Sequence, residues 1–545
     1  NTIQSSYIQG STAAFISGST GTVINASVLV ATNTSGSALA LAGGSVNLTM
    51  SSNTLYSGAQ GKGIYLDIGN SGTINLSTNT VHKGQYGIYA ATQQVGTALW
   101  ISSNTIYPVP VATSDIFGLY FNGLTSGATI QNNAVYYRIP GNMGVNKTAA
   151  LGAFSSAGLL VTGNRFSNPG MVLGGSIGTA YLEGTSNTIF KFNDFHSTGT
   201  SLANGFHIYL QSSPNTYVRN NIFSSSWSVT SGSGAIGVDV GSQPGFASDF
   251  NNFFSSNSLN SIAWGLGSFQ FPWAATIGRD GQSVSRHPRW KNVAPGVEDF
   301  HQLSQAGSWN GVAFANDGYT SGLIDAADYS ESYANEQGPN GNRANLGSYG
   351  NTAEASKSPT GPTGPSVAGV FTSSISVSYG SVLANGYFVI ASSDSNFGGT
   401  IFSSATTNNL LTTLAPQGLS VNTTYFMAAA AVWGDYSAFT STVSASTLAN
   451  PPLAFTPLFN SISSAAMTVA YTNNGNPLGS TYTIVLSSGS VYPNTFTGNT
   501  QMSTTAFAAP LTGLAPNTTY FAYAAGINWG SVPSVYATLG STATF

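Results

Sequence analysis

The chain has 545 residues, of which only 6% are charged, and its formal net charge is −4 at pH 7. Ordinary soluble proteins carry roughly 25% charged residues, so neutral polar groups must keep this chain in solution. A weakly negative chain without a Lys/Arg cluster offers no electrostatic footprint for nucleic acid or a membrane surface. The absence of cysteine excludes disulfides and Cys-ligated metals. No run of about 20 apolar residues is present to span a bilayer.

Asparagine recurs through the first half of the chain at intervals of 25 to 31 residues, and each is followed two positions later by an apolar or aromatic residue. A period of this size predicts a solenoid, and short strands with Gly at the corners favour a β-solenoid over stacked helices. The series is Asn53, Asn79, Asn104, Asn133, Asn164, Asn193, Asn221 and Asn252.

The segment around Asn79 shows the pattern of one rung, the unit that repeats. Ile74 and Leu76 alternate with polar residues before the Asn, Val81 follows it, and Ile88 follows a Gly, which predicts three short strands. We expect the Asn itself at a tight bend in the left-handed conformation, which Asn tolerates. Stacking of rungs about 4.8 Å apart then predicts a ladder of hydrogen-bonded amides.

Five segments share a Gly followed by alternating apolar residues, which predicts the third strand of the rung. They are Gly63-Ile-Tyr-Leu, Gly87-Ile-Tyr-Ala, Gly118-Leu-Tyr-Phe, Gly205-Phe-His-Ile-Tyr and Gly237-Val-Asp-Val. With the Asn period, they resemble the right-handed, three-sheet parallel β-helix of the pectate-lyase-like superfamily over residues 1–275. The resemblance implies an all-β fold.

After Asn252 the period lapses, and 15 of the 30 charged residues lie between Arg279 and Lys357. Residues 276–357 resemble the C-terminal closing segment of secreted bacterial β-helix repeat proteins. Because the last rung of a solenoid exposes strand edges and an open core, we expect these charges to cover that end. The Pro/Gly alternation of residues 358–365 predicts a linker.

Two copies of one motif lie 95 residues apart in the remaining chain, beginning at Leu419 and Leu514 and containing Asn-Thr-Thr-Tyr. They predict two domains, 366–449 and 450–545, which resemble fibronectin type III. The resemblance implies that Tyr425 and Tyr520 form the corner between two sheets. A Trp-Gly pair ends each motif, at Trp433 and Trp529.

Few charged residues lie on the rungs, and they are the candidate catalytic groups because the superfamily includes polysaccharide lyases and glycosidases. Stacking predicts that Arg165 lies beside Asp194, and Lys191 beside Arg219. In a lyase, Lys191 or Arg219 would act as the base and its neighbour would neutralise a uronate carboxylate. The alternative is structural: a surface ion pair between Arg165 and Asp194, with the bases discouraging misregister of similar rungs.

Other acidic residues allow further alternatives. Asp239 and Asp249 could form a glycosidase pair, although Asp239 occupies an ordinary outward strand position. The acidic cluster of Asp325, Asp328, Glu331 and Glu336 could hold a cation, or could form a solvated loop beside Arg343 in the closing segment. We predict no cofactor and no metal.

These patterns predict an extracellular, cell-surface protein with a structural or adhesive role, whose copies associate head-to-tail into a fibre or sheath. A solenoid is a stiff rod, and its open first rung is a template for association. The alternatives are a polysaccharide lyase or glycosidase, and a non-catalytic adhesin that binds glycans. The start at Asn1 rather than Met indicates a processed or excised segment.

Overall fold

A computed structural model describes residues 1–109, 115–137, 148–168, 177–198, 205–226, 234–256, 261–491 and 500–545. The chain forms two compact units, Asn1–Pro359 and Thr360–Phe545. The predicted all-β fold is confirmed: the first unit is a three-sheet parallel solenoid, and the second contains antiparallel sandwiches.

Each rung contributes one strand to each of three sheets, and neighbouring strands within a sheet come from successive rungs. Within the described residues, the first sheet consists of Thr2–Gln4, Thr20–Asn25, Val46–Ser51, Ser71–Ser77, Ala98–Ser102, Ala128–Gln131, Leu159–Thr162, Ile189–Lys191, Tyr217–Arg219 and Ala247–Asp249. The second consists of Tyr7–Gly10, Val28–Ala31, Thr54–Tyr56, Thr80–His82, Thr105–Tyr107, Ala134–Tyr136, Arg165–Asn168, Asp194–Ser197, Ile222–Ser225 and Asn252–Ser255.

Along the chain, each strand of the third sheet follows the second-sheet strand of its rung and precedes the first-sheet strand of the next rung. Its described strands are Ala14–Ile16, Leu39–Leu41, Lys62–Leu66, Tyr86–Ala90, Ile116–Asn122, Thr148–Phe154, Ile177–Glu183, Gly205–Gln211, Gly234–Val238 and Ser261–Trp264, followed by Gly267–Gln270, which pairs antiparallel.

The core is built from columns of inward side chains, because parallel register places equivalent residues of successive rungs on top of one another. One column consists of Phe166, Phe195, Phe223 and Phe253, whose successive ring centroids are 5.2, 4.9 and 5.2 Å apart. All four rings are fully buried. Stacked aromatic rings therefore fill the later rungs, while the rung around Asn79 uses aliphatic side chains such as Ile74 and Leu76.

The buried corner between the first and second sheets carries a continuous asparagine ladder. From Asn53 onward, the Nδ2 of each Asn donates to the Oδ1 of the Asn in the next rung at 2.9–3.1 Å. That Oδ1 also accepts from the backbone N–H of the previous Asn. The second amide hydrogen of Asn104 reaches the carbonyl of Leu76 at 2.8 Å. Each ladder amide therefore satisfies polar groups that burial would otherwise leave unpaired.

The left-handed residue at this corner is the one before each ladder Asn, which corrects the expectation from the sequence. Ser52, Thr78 and Ser103 have φ of 55°, 55° and 56°. Phe192 takes the same conformation with φ 54°, so the bend does not depend on Asn. The ladder Asn is selected by its buried amide.

The ladder ends at Asn251. The sequence predicted Asn252, and that prediction is wrong by one residue. Asn251 follows the left-handed Phe250, φ 53°, and its Oδ1 accepts from the N and Nδ2 of Asn221 at 3.0 and 3.1 Å. Asn252 lies one position into the strand, opposite Ile222, and its Oδ1 accepts from Arg286 N at 2.8 Å. An Asn-Asn doublet followed by two Phe residues left the position ambiguous by one residue.

A second ladder, of hydroxyl groups, lies at the corner between the third and first sheets, and sequence reasoning missed it. The backbone N of Ser156 donates to Thr185 Oγ1, that of Thr185 to Ser213 Oγ, and that of Ser213 to Ser242 Oγ, at 2.8–3.3 Å. Ser and Thr are so common in this chain that their spacing carried no signal.

The C-terminal end of the core is closed by residues just after the last rung. The Trp273 ring lies 4.8 Å from Phe253 and is buried, and its Nε1 donates to Asp280 Oδ2 at 2.9 Å. Asp280 also accepts from the hydroxyls of Ser248 and Ser283 at 2.7 and 2.8 Å. A short helix, Ala274–Ile277, lies between Trp273 and Asp280.

The closing segment, residues 276–357, then packs against the side of the solenoid, where Asp328 and Glu331 contact the rungs and do not cover the end. Leu323 and Leu346 pack on Phe192 and Ile222, and Phe300 packs on Tyr136, which belongs to an earlier rung. Its described strands are the antiparallel pairs Trp290–Asn292 with Asp299–Gln302 and Ser308–Trp309 with Phe314–Ala315.

The second unit contains two sandwiches. In the described residues, module 1 has a three-stranded and a five-stranded antiparallel sheet, and module 2 has a three-stranded and a four-stranded one. Module 1 consists of Thr363–Val370, Ile375–Gly380 and Thr413–Leu414 against Phe402–Thr406, Gly386–Ser392, Thr424–Trp433 and Tyr436–Phe439, with Val443–Ser446 also paired to Thr424–Trp433. Module 2 consists of Leu453–Asn460, Ala466–Thr472 and Ala508–Thr512 against Thr500–Thr504, Thr481–Ser487, Thr519–Ile527 and Ala537–Ala543.

The corner tyrosines take equivalent positions in both modules. Tyr425 OH accepts from Ser420 N at 3.0 Å, and Tyr520 OH accepts from Ala515 N at 2.9 Å. The tryptophans differ: Trp433 is buried in the core of module 1, whereas Trp529 is 50% exposed. The first strand of module 1 begins at Thr363, inside the segment predicted as a linker.

The two modules are joined through Asn422, which is fully buried. Its Nδ2 donates to Ser480 Oγ at 2.7 Å, and its Oδ1 accepts from Trp529 N at 2.9 Å. The equivalent residue of module 2, Asn517, is exposed. None of the helices in the described part of the chain has the length and apolarity needed to cross a membrane.

Replacing a central ladder residue tests the energetic role of the amides. Asn104→Ala leaves the N and Nδ2 of Asn79 and the carbonyl of Leu76 without their partner. Since each buried polar group left unpaired costs about 1–3 kcal/mol, we expect a loss of at least about 2 kcal/mol in chemical unfolding. Asn75→Ala, at a half-buried outward position of the first sheet, is the control, expected to change stability by less than about 0.5 kcal/mol. Equal effects of both substitutions would contradict this role.

Candidate functional site

The four candidate catalytic residues lie on the two sides of the asparagine corner, in adjacent rungs. Arg165 is paired in register with Asp194 in the second sheet, and Lys191 with Arg219 in the first. The ladder residues Asn164, Asn193 and Asn221 separate these two pairs. The two pairs predicted from the spacing, Arg165 with Asp194 and Lys191 with Arg219, are therefore neighbours in the stack.

The closing segment supplies a carboxylate to each of the bases in the first sheet. Lys191 Nζ lies 2.6 Å from Glu331 Oε2, and Arg219 Nη1 lies 2.9 Å from Asp328 Oδ2. Asp328 is almost fully buried and its pKa is lowered, because hydrogen bonds from Ser330 and the charge of Arg219 outweigh its desolvation. Both side chains contact carboxylates of the closing segment, so neither is positioned as a free general base.

Asp194 is buried rather than at the surface, which corrects the predicted surface ion pair. It is 1% exposed, and its Oδ2 accepts from the N and Oγ of Ser348 at 3.1 and 2.5 Å. Burial raises the pKa of Asp194 to about 7, against the opposing effects of Ser348 and Arg165. Arg165 Nη2 donates to Asn132 O at 3.0 Å, and its guanidinium lies 5.2 Å from the centre of the Tyr349 ring.

An open cleft of about 320 Å³ separates this part of the solenoid from the closing segment. Leu160, Thr162 and Lys191 line one side, and Glu331 and Asn351 line the other. The cleft holds one paired cation and one paired anion, which suits a polar contact surface. It contains no pair of uncommitted carboxylates among its described lining residues, as glycoside hydrolysis requires.

The remaining acidic candidates have structural contacts of their own. Asp239 Oδ1 accepts from Ser242 N at 2.8 Å and caps a single turn of 3-10 helix, Val240–Ser242. Asp249 Oδ1 accepts from Gln282 N at 2.8 Å. Asp325 Oδ1 accepts from Ser358 Oγ at 2.8 Å. Within the described ranges, no group of three or more His, Asp or Glu side chains is arranged to hold a metal ion.

Two further residues, Ser348 and Glu336, are central to the attachment of the closing segment, and the sequence indicated only Glu336, as part of an acidic cluster. Ser348 binds the buried Asp194, as described above. Glu336 Oε1 accepts from Asn345 N and Asn351 N, both at 2.8 Å, and burial raises its pKa to about 7. Neither contact could be read from the sequence, because only the fold of the closing segment brings these residues to their partners.

His196 is buried beneath the closing segment, edge-on to Trp290 and Phe300 at ring distances of 5.6 and 6.3 Å. Burial lowers the pKa of His196 to about 4. A second histidine of the same rung, His207, is fully buried against Phe195 and Phe223, and burial lowers its pKa to about 3. Both imidazoles are neutral packing groups at neutral pH.

No family model matches the chain, and no curated protein matches it significantly in sequence. Among solved structures, a two-domain fibronectin type III segment of chicken tenascin is 18% identical, and the match covers 34% of this chain and 99% of that one, with a TM-score of 0.25. The FN1–FN3 domains of chicken CNTN1 are 16% identical, covering 35% and 71%, with a TM-score of 0.20. The fibronectin type III-like fold of the second unit is established by its own strand order and tyrosine corners.

His196 predicts a loss of stability in acid. An exposed His has a pKa of about 6.5, so a folded-state value near 4 means that stability is complete above pH 6.5 and is lost as the pH falls towards 4. His196→Phe removes this loss, and we expect the variant to gain on the order of 3 kcal/mol relative to wild type over that range. Thermal unfolding at several pH values measures the difference.

The pH dependence of wild-type stability alone does not isolate His196, because Asp194 and Glu336 change the stability with pH in the opposite direction. Their raised pKa values favour the folded state below about pH 4, and this contribution is lost as the pH rises towards 7. His287→Phe, at an exposed position where Nδ1 accepts from Arg289 N at 3.0 Å, is the control for the loss of a histidine outside the buried site. A His196→Phe curve parallel to wild type would refute the assignment.

Proposed function

We propose that this protein is an extracellular, cell-surface structural protein whose copies associate head-to-tail into a fibre or sheath. The observation that supports the proposal is that the charged residues of the rungs contact other parts of the same chain. Lys191, Arg219 and Asp194 all bind the closing segment. They fasten one part of the chain to another, which is a structural role.

The distribution of charge supports association between copies. No charged side chain occurs in residues 1–61 or in residues 436–545, and residues 279–357 hold half of the total. Contacts between charge-free surfaces remove no ionised groups from water, so they avoid the desolvation cost of burying charges. The parts of the chain before the first charged rung and after module 1 are therefore suited to packing against one another.

The strand edges of the first described rung differ from those of the last. Within the described residues, Thr2–Gln4, Tyr7–Gly10 and Ala14–Ile16 are each paired on one side only. At the other end, Trp273 and the Asp280 network cover the core. A partner that binds the first described rung would therefore not be the last rung of another copy.

A glycan-binding adhesin is a second candidate, favoured by the outward face of the first sheet. Trp100 and Tyr217 are 44% and 47% exposed in one outward column, and an open groove of about 230 Å³ lies beside Trp100. An exposed indole face beside hydroxyl-bearing side chains such as Thr129 suits stacking on a neutral sugar ring.

Imaging and sedimentation test the structural function. We expect purified protein to form ordered polymers visible by electron microscopy, with assembly that is little affected by added salt because few charges are involved. Protein that stays monomeric at high concentration would contradict the proposal.

Release of unsaturated, ultraviolet-absorbing products from acidic polysaccharides, abolished by Lys191→Ala or Arg219→Ala, would instead establish a lyase. Glycan binding that survives both substitutions, without polymers, would establish the adhesin. Thermal unfolding of both variants is the control, because the same substitutions also detach the closing segment from Glu331 and Asp328.

A further inference from the structure

Module 2 has an open apolar groove at the point where its first strand leaves its neighbour. The pairing of Leu453–Asn460 with Ala466–Thr472 is interrupted between Ala454 and Phe459. The groove has a volume of about 570 Å³ and is lined by Phe455, Ala470, Tyr471, Thr472, Asn473, Ala506, Phe507 and Ala508. Phe455 and Phe507 are 52% and 43% exposed.

The aromatic lining is specific to module 2. In module 2 the N of Tyr471 donates to the carbonyl of Phe507, and in module 1 the equivalent N of Tyr379 donates to the carbonyl of Thr412. Thr412 therefore stands where module 2 has Phe507. Exposed aromatic side chains at this position are not required by the fold, because module 1 forms the same sandwich without them.

The surroundings of the groove select an uncharged partner. Residues 436–545 contain no charged side chain, so nothing in module 2 would compensate a charge buried against it. The second longest charge-free stretch of the chain is residues 1–61. A second copy of the protein therefore carries a surface that matches the groove in polarity.

Phe15 is the side chain in that region best suited to enter the groove. It is 69% exposed on the strand Ala14–Ile16, and its neighbour in register is the small Ala40, which leaves the ring uncovered on that side. Tyr7 is similarly exposed, but its hydroxyl donates to Gln9 within the chain. A ring without polar atoms loses no hydrogen bond on entering an aromatic groove.

We infer that the module 2 groove of one copy binds the N-terminal rungs of a second copy, with the Phe15 ring inserted between Phe455 and Phe507. The inference rests on the proposed head-to-tail association and identifies its surfaces. The two surfaces are different, so each copy keeps one of each available. A heterologous contact of this kind propagates into an open chain unless its rotation closes a ring.

Charge substitution in the full chain tests the contact. Phe507→Asp and Phe15→Lys should each reduce polymer, measured by sedimentation and electron microscopy, at least tenfold, because each buries an unpaired charge. The combined variant places the two charges together and should restore assembly, now weakened by added salt. Thr412→Asp, the equivalent position of module 1, is the control and should assemble like wild type.

Each result separates the inference from the proposed function. If wild type forms polymer and either Phe507→Asp or Phe15→Lys forms as much, this contact is overturned but the fibre is not. Failure of the combined variant to restore assembly overturns the direct pairing of these residues. Wild-type protein without any polymer overturns both. Thermal unfolding of every variant shows whether a loss of polymer comes from misfolding.

Discussion

The stack of buried asparagine amides is the interaction on which the solenoid depends. A parallel rung turns its chain sharply at a buried corner, where the backbone N–H of each ladder Asn bonds to an amide oxygen of the next rung and not to a strand. Each ladder Asn supplies both a donor and an acceptor at that point, and its own unused groups are satisfied by the next rung. Because every amide serves its neighbours on both sides, the correct register of one rung supports that of the next.

Several of the few charged residues join one part of the chain to another. Lys191 with Glu331, Arg219 with Asp328, and Asp194 with Ser348 join the rungs to the closing segment from both sides of the asparagine corner. Apolar packing of Leu323 and Leu346 lies between these contacts. The polar groups set the position of the segment, while burial of apolar surface supplies most of the stabilisation.

The repeat made the solenoid predictable, because the spacing of Asn53 to Asn221 and the alternation of Ile74 and Leu76 are local signals. The corner conformation was assigned to the wrong residue, since the periodic Asn is selected for its amide and not for its φ. Asn251 was missed because Asn252 fits the same spacing. The partners of Lys191 and Arg219 could not be predicted, because contacts across more than a hundred residues of sequence leave no periodic trace. The pattern therefore gave the neighbours of these residues along the stack, but not their environment.

The sideways path of the closing segment has a consequence for how the rod comes apart. A solenoid normally frays from its terminal rungs inwards, since each rung contacts only its neighbours. Here Phe300 holds Tyr136 while Arg286 is bonded to Asn252, so one segment spans rungs that are distant along the stack. The last rungs cannot peel away individually unless this segment is released first. Under proteolysis or mechanical force at that end, the last rungs would therefore unfold together as one cooperative unit and not one at a time.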